Sequence, residues 1–163
     1  MLSRISLRLI SWWQLAFGVT SALGTASILL RLVPEASAQL AALGLGTWFL
    51  ALGFYGALAV AGWGLLRRHA WGMLLSSAVS ALQVLTVIIS GGVHVEMQGG
   101  PAAGLRATAE QIEMFVEYKP AFLVSAHSPN HSFVIQINLI AVVFVWALLR
   151  ARSEPIPAEA PAA

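Results

Sequence analysis

Two long apolar stretches separated by four residues constrain this chain more than any other feature of its sequence. Residues 40–66 contain no charged side chain, and neither do residues 71–93. Each stretch exceeds the ~20 residues that an α-helix needs to cross a hydrocarbon core about 30 Å thick. Because only the Arg-Arg-His-Ala segment 67–70 separates them, the pattern predicts two antiparallel membrane-spanning helices joined by a tight turn.

The composition of the whole chain is typical of an integral membrane protein. Hydrophobic residues make up 58% of the 163 residues and charged residues only 10%, whereas a soluble domain carries about 25% charged residues. The basic residues behind the net charge of +2 flank the apolar stretches, so a nucleic-acid partner is not expected. The absence of cysteine excludes disulfides and thiolate metal ligands.

Two further apolar stretches complete a pattern of four. The first follows Arg8 and the last precedes Arg150. We therefore predict an all-α integral membrane protein, a four-transmembrane-helix bundle formed by residues 1–152. The predicted spans are about 9–30, 40–66, 71–93 and 132–149. The Pro/Ala-rich tail 153–163 is predicted to be a disordered cytoplasmic segment.

The segment 92–132 is more polar than its surroundings and is predicted to be an external loop carrying one short amphipathic helix. Within residues 109–119, apolar and charged side chains fall on opposite sides at helical spacing. Thr108 and Gln111 resemble a capping box at the start of this helix, and Pro120 ends it.

The distribution of basic residues predicts the orientation of the chain. Positive charge is retained on the cytoplasmic side of a membrane. Six arginines lie at the termini and in the central turn, against three basic residues in the other two loops: Arg4, Arg8, Arg67, Arg68, Arg150 and Arg152 against Arg31, Arg106 and Lys119. Both termini are therefore expected in the cytoplasm, with the chain in the inner (plasma) membrane.

The first apolar stretch has two interpretations. Ala36-Ser37-Ala38 matches the small-residue cleavage pattern of a signal peptide, and it follows a basic start and an apolar stretch. That stretch, however, runs over residues 9–30 and exceeds the usual 7–15 residues of a signal-peptide apolar region. A retained first helix is favoured, and cleavage after Ala38 stays open.

Small residues recur on one side of each of the first three predicted helices, which lets neighbouring backbones approach closely. These stripes contain Gly18, Gly53, Ala57, Ala61, Gly64, Gly72, Ser76 and Ser80. The polar side chains inside the predicted spans are Gln14, Gln83, Gln136 and Asn138, none of which ionises. We expect the stripes to pack helices together and the polar side chains to bond between helices. The alternatives are a docking face for a partner subunit and a site for a small uncharged ligand.

The predicted external loop contains the candidate metal ligands. His94 and Glu96 follow the third span, whereas His127 and His131 precede the fourth. Imidazole and carboxylate groups suit Zn²⁺, although Pro129 prevents a regular helical pair of the last two histidines and no known metal motif is present. No cofactor is expected, and a divalent metal such as zinc is the alternative.

Three functions are compatible with the sequence. The leading hypothesis is a non-catalytic accessory or scaffold subunit, whose partners are the lipid bilayer and other membrane protein subunits or a second copy. The second is a membrane-anchored sensing or binding module whose external loop holds a metal ion or small ligand. The third is a small transporter or membrane enzyme. It is disfavoured because the predicted spans lack the ionisable side chains that transport pathways use.

Overall fold

The computed structural model describes residues 2–32, 38–89, 94–118, 121–125 and 133–153. These residues form four α-helices and six β-strands. In chain order they are α1 (Leu2–Leu32), α2 (Ala38–Leu66), α3 (Ala70–Leu82), β1 (Leu85–Ile88), β2 (His94–Gln98), β3 (Pro101–Thr108), β4 (Ile112–Tyr118), β5 (Ala121–Ser125), β6 (Val134–Asn138) and α4 (Leu139–Ser153). The predicted all-α bundle of four transmembrane helices is therefore wrong. The predicted disordered tail lies outside the described residues from position 154 onward.

Two helices are long and apolar enough to cross a membrane by length and composition. The apolar segments are Ser6–Arg31 in α1 and Leu45–Leu66 in α2. At 1.5 Å per residue, the 31 residues of α1 and the 29 of α2 extend about 46 and 43 Å. They correspond to the first two of the predicted spans.

The turn between α2 and α3 closes with a hydrogen-bonded helix cap. The Arg68 N–H donates to the Leu65 carbonyl (3.0 Å), and the His69 N–H donates to the Gly64 carbonyl (2.9 Å). This is a Schellman cap, in which the residue at the position of Arg68 is left-handed and usually glycine. Arg68 has a φ of 57°, a conformation that costs about 1–2 kcal/mol for a residue with a Cβ.

The third apolar stretch changes from helix to strand near its midpoint. α3 ends at Leu82 and β1 begins at Leu85. Five of the six residues in 84–89 are β-branched, and such side chains are restricted in helices but pack well on a pleated sheet. The 13 residues of α3 extend only about 20 Å, so 71–93 is not a helical span.

The fourth apolar stretch also divides, in the opposite order. β6 occupies its first part and α4 follows without a linker. Asn138 marks the change, because its Oδ1 accepts hydrogen bonds from the N–H groups of Ile140 (3.1 Å) and Ala141 (3.4 Å). An asparagine in this position caps a helix N-terminus. The 15 residues of α4 extend about 22 Å, so 132–149 is not a helical span either.

The segment 109–119 contains strand β4 instead of the predicted amphipathic helix. Burial alternates along β4, with exposed side chains at 112, 114, 116 and 118. Thr108 and Gln111 close the β3–β4 turn rather than capping a helix, since the Thr108 N–H donates to the Gln111 carbonyl (2.8 Å). A short segment can fit both the helical and the strand period, and pairing with β3 decides between them.

The six strands form one antiparallel sheet in the order β4-β3-β6-β1-β2-β5. β2 pairs with β5, and β3 pairs with β4. The register is the same in both pairs, from His94↔Ser125 to Ala107↔Ile112, so the four strands form one long hairpin. β1 pairs with β2, β6 pairs with β3, and β1 and β6 pair with each other.

The chain forces this sheet to curl. Residues 119–120 alone connect the two edge strands β4 and β5, so three Cα–Cα steps keep Tyr118 and Ala121 within about 11 Å. The edges of a flat six-stranded sheet would be about 24 Å apart. The curled sheet therefore has a concave, buried face and a convex face.

The curled sheet packs against one half of the α1–α2 pair. Phe17 of α1 contacts Tyr118, with ring centroids 5.9 Å apart, and Phe54 of α2 contacts Phe122 at 5.6 Å. α3 and α4 pack beside the other half. There, a buried cluster joins α1, α2 and α4 through Ile10, Leu65 and Leu148.

Candidate functional site

Glycines of the predicted stripes lie at the closest helix contacts. A Cβ on Gly18 would lie 2.4 Å from the backbone nitrogen of Ala59, so α1 and α2 touch there. A Cβ on Gly72 would lie 2.4 Å from the carbonyl carbon of Gly64, where α2 and α3 touch. Gly53 instead faces outward, because apart from nearby atoms of its own helix no atom of the described residues lies within 4 Å of its Cβ position.

The remaining stripe residues lie between helices. Ala61, Ser76 and Ser80 are buried, and Ala57 packs against the cluster that contains Ala61. Sequence reasoning missed Gly62, whose Cβ would lie 2.6 Å from the Ser11 carbonyl oxygen of α1. Gly62 is next to Ala61 and outside the small-residue stripe, so only the crossing of α1 and α2 identifies it.

Gln14 forms a buried polar contact between α1 and α3. Its Nε2 donates to Ser80 Oγ (3.0 Å) and to the Ser76 carbonyl (3.4 Å), while its Oε1 accepts from Ser76 Oγ (2.6 Å). The Gln14 side chain is 1% exposed. The sequence predicted both partners as packing residues, and the structure brings all three side chains together.

The other three polar side chains serve different elements. Gln83 Oε1 accepts from the Gly99 N–H (2.9 Å), which joins the end of α3 to the β2–β3 bend. Gln136 Nε2 donates to Glu117 Oε1 (2.8 Å) within the sheet. Asn138, as described, caps α4.

The predicted metal ligands divide between described and undescribed residues. His94 and Glu96 are separated by one residue on β2, so both side chains lie on the concave face, where they are buried. His94 Nε2 lies 3.4 Å from Glu96 Oε2. His127 and His131 lie outside the described residues. Within the part of the chain that the structure describes, no group of three or more His, Asp or Glu side chains is arranged to hold a metal.

An ion-pair network that the sequence did not predict lies on the same concave face. Arg106 binds Glu117 (2.8 Å) and Glu113 (3.4 Å), and its guanidinium lies over the Phe115 ring at 5.0 Å. The helical interpretation of 109–119 placed these acidic residues on a solvated face. Because successive side chains of β4 point to opposite faces, these glutamates lie on the concave face opposite β3. This alternation was the signal in the sequence that could have revealed the network.

A cavity of about 720 Å³ opens at the end of the helices opposite the sheet. We call it the basic cavity. Its described lining contains Leu7, Arg8, Ser11, Leu65, Leu66, Arg68, His69, Ala70, Trp71, Met73, Leu74, Ser77, Ala151 and Arg152. Three separate elements thus contribute one arginine each, and no Asp or Glu is among these described lining residues. Sequence reasoning used these arginines only to predict orientation.

No protein-family model, curated protein or solved structure matches this chain.

Proposed function

We propose that this chain is a non-catalytic accessory or scaffold subunit of the plasma membrane, anchored by α1 and α2. The observation that carries the proposal is the apolar outer surface of the helices, combined with hydrogen-bonded polar side chains between them. Large apolar side chains point outward, among them Leu30 (78% exposed), Phe49 (62%) and Leu74 (64%). The buried side chains between the helices include Gln14, Ser76 and Ser80.

This arrangement suits lipid as the surrounding medium. A soluble protein rarely exposes a contiguous apolar surface of this kind. In a bilayer, outward apolar side chains carry no penalty, and polar side chains are satisfied by hydrogen bonds between helices. The short helices α3 and α4 need not span the bilayer, because they pack against α1 and α2 and lead into the sheet.

The basic residues support an orientation with both termini in the cytoplasm. Arg8, Arg68 and Arg152 line the cavity at one end of the helices. At the sheet end, Arg106 is paired with two glutamates. The positive-inside rule assigns the basic end to the cytoplasm and the curled sheet to the outside.

We expect single-cysteine labelling to report this orientation, since the chain has no native cysteine. Ala109→Cys in the exposed β3–β4 turn should react with a membrane-impermeant thiol reagent in intact cells. Ala70→Cys, exposed at the start of α3, should react only after permeabilisation. The reverse pattern would refute the orientation, and release of the chain by alkaline carbonate would refute the membrane anchor.

The role as a subunit is supported by the convex side of edge strand β4. Ile112 (77%), Met114 (82%) and Val116 (86%) are largely exposed there. An edge strand with unpaired backbone groups and an apolar outer face favours association with another protein.

We expect a photo-crosslinking amino acid at Met114 to give one discrete protein adduct in intact membranes. The matched position is Val143 on α4, which is also exposed but belongs to the proposed lipid-facing surface, and it should give lipid adducts only. Adducts to lipid alone from both positions would contradict the subunit role while leaving the membrane anchor intact.

A further inference from the structure

The basic cavity has the size and position of a ligand site. Its volume of about 720 Å³ falls within the ~300–1,000 Å³ typical of small-molecule pockets. α1, the α2–α3 turn, α3 and α4 all contribute to its wall. The cavity therefore exists only because the helices assemble.

The positive charge of the basic cavity favours an anionic ligand. Arg8, Arg68 and Arg152 line the cavity from three different elements, and its described lining contains no carboxylate to neutralise them. The N-terminus of α3 also lies here, and its N-cap residue His69 makes no side-chain hydrogen bond to the first turn. Exposed N–H groups at a helix N-terminus add to the attraction for a phosphate group.

Arg68 supplies an independent observation. Its backbone is left-handed, with a φ of 57°, at the cap position where glycine is most favourable. A residue that retains a side chain in such a conformation points to a role for that side chain. Arg68 is one of the residues that line the cavity.

The apolar part of the cavity wall favours an amphiphilic ligand over a free anion. Leu7, Leu65, Trp71 and Leu74 present apolar surface in the same cavity as the arginines. Leu74 and Trp71 are also exposed on the outside of α3, so an acyl chain can leave the cavity along this helix. A free phosphate ion would make no use of this surface.

We propose that the basic cavity binds the head group of an anionic phospholipid from the cytoplasmic leaflet, with the phosphate on the arginines and an acyl chain along α3. The proposal rests on the membrane location proposed above. The cytoplasmic leaflet is rich in anionic lipid, and basic pockets between helices on that side suit phosphate head groups.

The test is equilibrium binding of phosphatidylglycerol and phosphatidylcholine to the purified full chain in mixed micelles. Intrinsic tryptophan fluorescence and native mass spectrometry of the retained lipid are the two readouts. We expect the wild-type chain to prefer phosphatidylglycerol by about tenfold or more. Arg68→Gln and Arg152→Gln should each weaken that lipid about fivefold, equivalent to the ~1 kcal/mol of one basic residue near an anionic surface.

Neighbouring arginines provide matched controls. Arg67 lies over the Trp63 ring at 5.7 Å and Arg150 lies over Trp146 at 5.5 Å, and neither lines the cavity. Arg67→Gln and Arg150→Gln remove the same charge from the same end and should leave the affinity within twofold. If the control variants lost as much affinity for phosphatidylglycerol as the cavity variants, the lipid would be attracted by diffuse surface charge and not by a binding site.

Arg68→Gly separates binding from folding. Glycine suits the left-handed cap, so the thermal midpoint should stay the same or rise while the affinity for phosphatidylglycerol falls about fivefold. Unchanged affinity would overturn the role of Arg68.

Inorganic phosphate distinguishes the two sources of the anion. If millimolar phosphate displaces the lipid completely, the site is one for a soluble anion and the lipid proposal fails. Carbonate extraction reports separately on the membrane anchor, so failure of the lipid site can be distinguished from failure of the membrane location.

Discussion

Gly18→Ala is expected to destabilise the protein by about 3 kcal/mol or more, the upper end of the usual cost of overpacking. The added Cβ would lie 2.4 Å from the Ala59 nitrogen, 2.8 Å from the Ala59 Cα and 2.9 Å from the Tyr55 carbonyl oxygen. All three atoms belong to the backbone of α2, so no side chain can rotate away and the helices must separate. Thermal and denaturant unfolding in mild detergent measure the loss.

Gly53→Ala is the matched control, since it makes the same change on α2 at a position where the described part of the neighbouring elements has no atom within 4 Å of the new Cβ. Alanine is favoured over glycine in a helix interior by about 0.5–1 kcal/mol. We therefore expect this variant to be slightly more stable than the wild type. If both variants lost stability equally, the close approach of α1 and α2 at Gly18 would be wrong.

Gln14→Leu is expected to destabilise the protein by about 2 kcal/mol. The substitution preserves the approximate size of the side chain but leaves the hydroxyl groups of Ser76 and Ser80 without their described partner in a buried position. Leaving one buried polar group unsatisfied costs about 1–3 kcal/mol. The free energy of unfolding in detergent is the measurement.

The rescue experiment identifies the cause of that loss. Replacing both partners of a hydrogen bond by apolar groups is often nearly neutral, so Ser76→Ala with Ser80→Ala should restore stability in the Gln14→Leu background. The same two substitutions should destabilise the protein when Gln14 is present. Purely additive effects across this cycle would show that the three side chains do not interact.

Thr20→Val is the control variant, in which a polar group is removed from an exposed position of α1. The exposed Thr20 Oγ1 donates only within its own helix, to the Ala16 carbonyl (2.9 Å) and the Phe17 carbonyl (3.3 Å). We expect a change below 0.5 kcal/mol in magnitude, about the usual range for surface substitutions.

Local sequence was sufficient to predict that α1 and α2 are long apolar helices. A charge-free stretch such as 40–66 satisfies all its backbone hydrogen bonds as a helix without help from distant residues. The basic turn that ends α2 was equally clear.

Local sequence was insufficient where strands replaced the expected helices. Residues 84–89 and 133–138 carry no charged side chain, and β-branched content alone did not decide between helix and strand. A strand obtains its hydrogen bonds from residues distant in the chain, as Leu85 does by pairing with Ile137. The choice was therefore made by the assembled sheet.

The charged side chains at the two ends of the molecule show the same difference between what local sequence and what tertiary structure determines. The sequence alone determined that the chain is apolar, that α1 and α2 are long apolar helices, and that the arginines gather where the apolar stretches end. Only the tertiary structure decided that Arg8, Arg68 and Arg152 surround one cavity and that Glu113 and Glu117 point into a curled sheet. The physical reason is that helix length and polarity are properties of consecutive residues. Convergence of side chains depends instead on how separate elements cross, and on which face each strand presents once it has paired.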